Sequence, residues 1–404
     1  MARMAHKKRE KIVEEDLEGF KYFRKIARLL QRLHQAGCAR DRAANRQLHM
    51  DQYLALVLLA FFNPICQSLR GLQQASELQK VQRLLGVPRA SLGSLSEAAG
   101  VFDAELLPEL VGQLAAELPP LPHDVRLDQV RQVLTAVDGT CLTALPKVAR
   151  WALWQTDRRA AKAHVHFEVL KGVPVAAEIT AANAAETDVL AARLQADRLY
   201  VVDRGYARYS LLQAMIDAGS SFVGRVHDNA VLETLDERPL AEEARAEGVL
   251  SDTVGRLGSK KNADDLRQPV RIVEVACAPH VKPSGKTGRG GSEQGDRLRL
   301  VTDRLDLPPE VVGLVYRCRW QIEIFFRTFK HVLGCRHLLS YSENGIALQT
   351  YAAILACLLM ALWTGRRPTL RTVEMLQFYF SGWATEEEVE AHLDRLARQD
   401  AAAR

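Results

Sequence analysis

No Cys-x-x-Cys pair occurs in the 404-residue sequence, and its seven cysteines (Cys38, Cys66, Cys141, Cys277, Cys318, Cys335 and Cys357) are odd in number and scattered. That pattern argues against a disulfide framework or a zinc knuckle and suits a reducing cytoplasm. The opening residues, MARMAHKKREKIVEEDLEGF, run basic and then acidic without an apolar core, so no secretory signal is expected. Long hydrophobic runs are missing as well. The longest apolar window, Ile346 to Trp363, is barely long enough to span a bilayer and carries Gln349 and Thr350, which reads as a buried helix and not a membrane span. At 48% hydrophobic and 25% charged, the chain has the composition of a globular protein with room for two or three domains. Wholesale disorder, a collagen-like fibre and a coiled-coil rod are set aside on the same ground.

Charge of one sign is not in large excess, since the net value is +5, but it is zoned. Residues 1–50 hold thirteen Lys/Arg against six Asp/Glu, and Tyr316 to Arg336 hold five against one. Val226 to Leu250 reverse the balance, with seven acids and two bases. Two basic zones flanking an acidic one suit a polyanion such as DNA, whose binding rests on neutralising phosphates.

The first hundred or so residues carry helical spacing: KYFRKIARLLQRLHQAG ends in Gly37, and DQYLALVLLAFFNP stops at Pro64. The run ELPPLPHD then breaks helix. Beyond it VRQVLTAVDGT, HVHFEVLKGVPVAAEIT and DRLYVVDRG read as strands, with a helix at ETDVLAARLQ. RYSLLQAMIDAG is a further helix and SSFVGRV a further strand, which together indicate an α/β layer structure. Residues 226–300 form a charged, turn-rich insertion with one clear strand, RIVEVAC. The strand RLRLVTD follows, then a long helix near Val311 to Leu333, the apolar helix, and a charged helix from Glu386 to Gln399 with Val389, Leu393 and Leu396 on one side.

Three acids stand out by their settings. Asp138 ends the apolar strand VLTAVDG and Asp203 ends YVVDRGY, which puts both carboxylates at the carboxyl edge of a sheet, where α/β proteins place their ligands. Glu323 shares a stripe with Tyr316, Arg319, Arg327 and Lys330, spaced three or four residues apart on one helix. Val315, Ile322, Phe325, Phe326, Phe329 and Leu333 supply the apolar face that anchors this helix. Three carboxylates brought together stay ionised only with cations between them, and hard oxygen ligands suit Mg²⁺, with Mn²⁺ as a substitute. Two such ions clamp an in-line phosphoryl displacement while the flanking cations grip phosphates.

Tyr316, Arg319, Glu323 and Lys330 spell Tyr-x2-Arg-x3-Glu-x6-Lys, and they follow Asp138-Gly139-Thr140 and Asp203-Arg204-Gly205-Tyr206. In these motifs, and in TDRL at Thr302 to Leu305, the sequence resembles the DDE transposases of bacterial insertion sequences, specifically the family-four branch. The resemblance runs from about Val125 to Leu359. It implies an α/β fold with an RNase H-like catalytic core, a mixed sheet flanked by helices, interrupted by a β-rich insertion and preceded by a helical N-terminal domain. The expected boundaries are 1–122 for the basic helical region that binds DNA ends, 123–225 and 301–370 for the two parts of the core, 226–300 for the insertion and 371–404 for a helical C-terminal segment. The implied chemistry is cleavage at transposon ends and strand transfer, with Asp138, Asp203 and Glu323 holding two Mg²⁺ ions. Tyr316, Arg319, Lys330 and Arg327 are expected on DNA phosphates. The implied partners are double-stranded DNA, as inverted repeats and target, and a second copy of the chain in a homodimer across paired ends. The expected location is the bacterial cytoplasm, at the nucleoid. Residues 226–300 contain no Phe, Tyr or Trp, so a residue stacking on a flipped base has to come from elsewhere, with Trp320 or His280 as candidates.

Rival readings remain. SGKT at Ser284 to Thr287 ends like a phosphate-binding loop, but the first glycine of that motif falls on His280. His164-Val165-His166 points both imidazoles to one face of a strand, as in His-hydrophobe-His nucleases that attack DNA with a tyrosine, here Tyr206 or Tyr209. A DNA-binding relic or regulator without turnover is the non-enzymatic alternative.

Overall fold

The computed structural model describes residues 30–41, 45–63, 66, 68–146, 149–155, 158–258, 265–277, 297–334 and 338–402. It divides into two compact units. One comprises Met1–Leu110, His331–Thr364 and Pro368–Arg404; the other comprises Val111–Lys330 and Gly365–Arg367.

The second unit is built on a ten-stranded sheet: β1 (Val133–Leu145), β2 (Leu153–Gln155), β3 (Arg158–Glu168), β4 (Val173–Ala181), β5 (Arg198–Val202), β6 (Ser221–Arg225), β7 (Leu232–Glu237), β8 (Val249–Leu257), β9 (Val270–Ala276) and β10 (Arg297–Thr302). The spatial order is β2-β3-β1-β5-β6-β10-β9-β8-β7, with β4 also paired to β3. β1, β5 and β6 run parallel, and every other pairing is antiparallel, so the sheet is mixed. β5 lies centrally and reads RLYVV, its last four residues buried on both faces as a covered parallel strand requires. Helices α1 (Glu186–Ala191), α2 (Tyr209–Asp217), α3 (Glu242–Ala246), α4 (Pro309–Cys318) and α5 (Trp320–Leu333) accompany the sheet. On one face Leu211, Leu212 and Met215 of α2 bury against Tyr200, Val202 and Phe222. On the other, Phe325 of α5 meets Phe167 of β3 and Phe329, with ring centroids 5.4 and 5.5 Å apart. Val315, Ile322, Phe325, Phe326 and Phe329 are all buried, as the apolar spacing predicts.

Four readings of the sequence need correction here. Asp138 does not end its strand: β1 continues to Leu145 in a hairpin with β3, and only the parallel pairing to β5 stops near it, at Ala136 opposite Val201. The segment HVHFEVLKGVPVAAEIT is parts of two strands, turned at Gly172, whose φ of +69° is a left-handed value that glycine adopts without strain. The long helix is interrupted at Arg319, where the Arg319 N–H donates to the Tyr316 carbonyl three residues back, a tighter turn than the α-helical four. Among the described residues, 226–300 hold β7, β8, β9 and the start of β10, where the sequence shows one clear strand before RLRLVTD, and β9, β8 and β7 continue the main sheet outward from β10. β7 is LETLDE, an almost wholly exposed strand with no apolar face to betray it. β8 buries Asp252 against Arg271 of β9 through bonds of 2.7 and 2.6 Å, so a charge stands where alternation calls for an apolar residue.

In the first unit no strand occurs among the described residues. Met50–Phe62 stops at Asn63, which is extended as the residue before a proline prefers. The helix Glu343–Thr364 is long and apolar enough to cross a membrane, but 94% of its apolar window is buried inside the protein. It packs on Met50–Phe62 and Leu92–Val101, and the Asn344 side chain donates to the carbonyls of Ala99 and Phe102 at 2.7 Å. The last helix, Glu386–Ala402, packs on Leu370–Phe380 through the buried Val389. Of the early helix KYFRKIARLLQRLHQAG, residues 21–29 lie outside the described residues, as do His280 and the SGKT run.

Candidate active site

The sheet register brings the first two acids together. Ala136 stands opposite Val201 in the parallel pair, so two residues further on Asp138 comes level with Asp203. Val202 stands opposite Gly224, so one residue further Asp203 comes level with Arg225 at the end of β6. Neighbouring strands lie about 4.8 Å apart, which sets an acid, an acid and a cation in a row at the parallel carboxyl edge.

Each acid is tied locally. Asp138 Oδ1 accepts the Gly139 N–H at 2.8 Å. Asp203 caps the short 3-10 turn Arg204–Tyr206, its Oδ1 accepting the Gly205 N–H at 2.7 Å. Burial pushes the Asp138 carboxyl up to about 6; the Gly139 N–H and Arg319 oppose the rise, while the nearby Asp203 and Glu186 carboxylates reinforce it.

Glu323 approaches through arginine. Arg319 Nη2 donates to Glu323 Oε1 at 2.8 Å and its Nη1 lies 3.9 Å from Asp138 Oδ2, so one guanidinium, with only 14% of its side chain exposed, spans two of the three acids. The Arg319 guanidinium also lies 6.0 Å from the centre of the Tyr316 ring. The Tyr316 hydroxyl is held above its usual range, mainly by burial, with Arg319 and Arg225 working against that rise. Glu323 forms no pair with Arg327: Arg327 is exposed and Lys330 half-buried, and neither makes an ion pair among the described residues. Trp320 is half-exposed at the start of α5.

Three residues at this edge escape the sequence reading. Glu186 sits in the first turn of α1, 3.0 Å from Lys162 Nζ, and raises the Asp138 carboxyl. Arg225 ends β6 with its Nε buried and without a hydrogen-bond partner. The signal for Arg225 is the strand-end logic that finds Asp203. Glu186 and Lys162 carry no such mark, because an acid in a first helical turn and a lysine on a strand are ordinary.

Among the described residues no group of three His, Cys, Asp or Glu side chains stands close enough to hold a metal. The donor set nonetheless fits a hard cation: the Asp203 carboxylate raises the proton affinity of the neighbouring Asp138, and a cation already lies between Asp138 and Glu323. The His-hydrophobe-His alternative does not assemble. His164 pairs opposite Gly139 and His166 opposite Val137, on the side of β3 away from Asp138. His164 hydrogen-bonds Thr180 at 2.8 Å, His166 meets the Tyr200 ring edge-on, and Tyr206 is sealed in the core at 2% exposure.

The stretch that carries this edge has known counterparts. The chain is 28% identical over 235 residues to a protein of Sinorhizobium fredii named as a transposase, y4zB, the match covering 57% of this chain and 61% of that one. It is 24% identical over 278 residues to the protein of Geobacillus stearothermophilus named as the transposase of insertion sequence element IS5377, covering 69% and 68%. The chain thus spans less than two thirds of the length of the first relative. A cryo-EM structure of a piggyBac transposase synaptic complex with hairpin DNA aligns with 94% of this chain and 84% of its own, at 9% identity and a TM-score of 0.39. The profile of the transposase DDE domain matches residues 130–359, which hold β1, β5, β6 and α5 and with them all three acids. More than half of the sequence therefore answers to that profile, and the chain belongs to the transposase DDE domain family.

Proposed function

We propose that the protein is a DNA transposase of the insertion-sequence type, family-four branch, which cuts DNA at the ends of its own element and joins the released 3′ ends to a target. The observation that carries this reading is the row of Asp138 and Asp203 on adjacent parallel strands, faced by Glu323 through Arg319. Asp138, Asp203 and Glu323 would hold divalent cations, two Mg²⁺ by resemblance, which when bound supply a Lewis acid for the attacked phosphate and an activated water or 3′-hydroxyl.

The chain's own residues do the rest. Arg319, Tyr316 and Arg225 bind the phosphate beside the cut, the phenol as a neutral hydrogen-bond donor and the two guanidiniums with their charge concentrated in a half-buried edge where water screens it little. Lys330 and Arg327 extend that grip along α5, and Trp320 offers a face for an unstacked base. Because Arg319 pairs with Glu323, the substrate phosphate competes for the guanidinium, which frees the Glu323 carboxylate. The basic helical region of residues 1–122 reads the end sequence, residues 226–300 form the insertion, and a homodimer holds two ends for concerted cutting in the cytoplasm.

Replacing Asp138, Asp203 or Glu323 by Ala should abolish Mg²⁺-dependent nicking of DNA carrying the element's ends while leaving end binding within about twofold of wild type. A Glu323→Ala protein that nicks at the wild-type rate would remove Glu323 from the site. A phosphotyrosine adduct on cleaved DNA would replace the whole reading with the tyrosine nuclease.

A further inference from the structure

The carboxylate of Glu186 is set into the catalytic edge among three separate parts of the chain, β3, β1 and the turn after β5, yet the chemistry above does not use it. Its Oε1 lies 3.0 Å from Lys162 Nζ of β3, and that ammonium also reaches the Ala184 carbonyl at 3.4 Å. A methyl group at Gly139 of β1 would stand 2.6 Å from the same oxygen, so the carboxylate occupies the space that any other residue at 139 would fill. Tyr206, buried at the end of the turn that Asp203 caps, lies beside Glu186, whose helix packs against that turn, and burial and then the Glu186 charge hold its hydroxyl above the usual range. That turn is closed by the Gly205 N–H donating to Asp203 Oδ1 at 2.7 Å and by two backbone bonds of 3.2 Å, Tyr206 N–H to the Asp203 carbonyl and Ala207 N–H to the Arg204 carbonyl.

We propose that Glu186 is the positioning residue of the site: seated against the bare Cα of Gly139, it holds Tyr206, and through it the Asp203 turn, at a fixed distance from Asp138. This rests on reading Asp138 and Asp203 as the catalytic pair. It accounts for residues that the chemistry leaves idle. Gly139 follows the first acid because the carboxylate needs its space, and Tyr206 closes the second motif because its hydroxyl is the handle. A mere Lys162–Glu186 surface pair, worth about 0–1 kcal/mol, needs neither a missing Cβ nor a buried phenol.

Glu186→Ala, Glu186→Gln, Tyr206→Phe and the Glu186→Ala/Tyr206→Phe double variant separate the possibilities in the full-length protein. Glu186→Ala and Tyr206→Phe should each lower kcat for Mg²⁺-dependent end cleavage by about ten- to a hundredfold with KM for the DNA unchanged, and the double variant should be no slower than Glu186→Ala. Glu186→Gln, whose amide oxygen still accepts from Tyr206, should stay within about threefold of wild type. Single losses that multiply in the double variant would overturn the proposal, as would a Glu186→Gln protein as slow as Glu186→Ala. Hydrogen exchange without DNA or metal reads the same contact independently of activity. The Gly205 and Tyr206 amides should exchange about tenfold faster in Glu186→Ala and at the wild-type rate in Glu186→Gln, and unchanged exchange in Glu186→Ala sinks the idea. A wild-type protein that cuts no DNA would instead overturn the transposase reading and leave the exchange result standing.

Discussion

His166 sits on the far side of β3 from Asp138, its ring 5.9 Å from and edge-on to that of Tyr200, with its Nδ1 buried and without a hydrogen-bond partner. Burial holds its imidazole down at about 4, with Arg198 adding to the effect. A histidine depressed from its ordinary value near 6.5 stabilises the fold fully above that value, and the stability is lost as pH falls through about 4. His166→Phe should therefore flatten part of the acid limb. Between pH 7 and pH 4.5 the wild type should lose on the order of 2 kcal/mol more than the variant in urea unfolding, and parallel curves would show that the imidazole is not buried neutral. Arg271 makes a second residue-scale test. Its guanidinium is 2% exposed, bonds both Asp252 oxygens and the Leu307 carbonyl, and leaves a bare buried carboxylate if removed. Arg271→Met is expected to cost about 3–5 kcal/mol by denaturant midpoint, most of it recovered in Arg271→Met/Asp252→Leu.

At the scale of elements, α4 and α5 show what periodicity reveals and what it hides. The apolar stripe from Val315 to Phe329 is legible because it repeats every three or four residues and faces the sheet. The break at Arg319 is invisible in that pattern, since the arginine keeps helical angles, φ −54° and ψ −34°, and only its hydrogen bond shortens by one residue. β5 and β6 are legible as apolar runs. β7 and β8 are not, because one is exposed throughout and the other buries a charge against a partner nineteen positions away. The site divides the same way. Asp203 announces itself at the end of an apolar strand, whereas Glu186 and Lys162 reach the site through contacts with each other and beside Gly139 that no local pattern encodes. The exposed side of α5 carries its own prediction. Lys330 is half-buried and without an ion pair among the described residues, so its charge is available to a phosphate. Lys330→Gln should weaken end binding without relaxing sequence preference and lower the slope of log K against log salt by roughly one unit. An unchanged slope would make it a solvated residue.

At the scale of the whole molecule, the two units do not follow the order of the chain. Helix Met50–Phe62 packs on Glu343–Thr364 and Leu370–Phe380, so described residues from both ends of the sequence share one apolar interior. Glu343–Thr364 is buried at every position from Gly345 to Ala361, and a helix apolar all round is stable in water only while neighbours cover it. A cut at the Pro119 to Pro122 break, natural from the sequence, would keep that helix and discard Met50–Phe62 from its flank. The product should aggregate, because an apolar face that Met50–Phe62 and Leu92–Val101 now cover would meet water. A fragment of residues 111–333 retains all ten strands, α1 to α5 and every proposed ligand, and discards both halves of the helical unit together. It should remain soluble, bind Mn²⁺ in calorimetry with a dependence on Asp138 and Asp203, and hold DNA in a salt-sensitive manner through Arg319 and Lys330. It should also lose the ability to tell element ends from scrambled DNA, since the basic excess of residues 1–50 goes with the discarded unit. Band shifts with end and scrambled duplexes test this directly: a fragment that still discriminates would move end recognition into the sheet unit, to α5 or to the strands beyond β10.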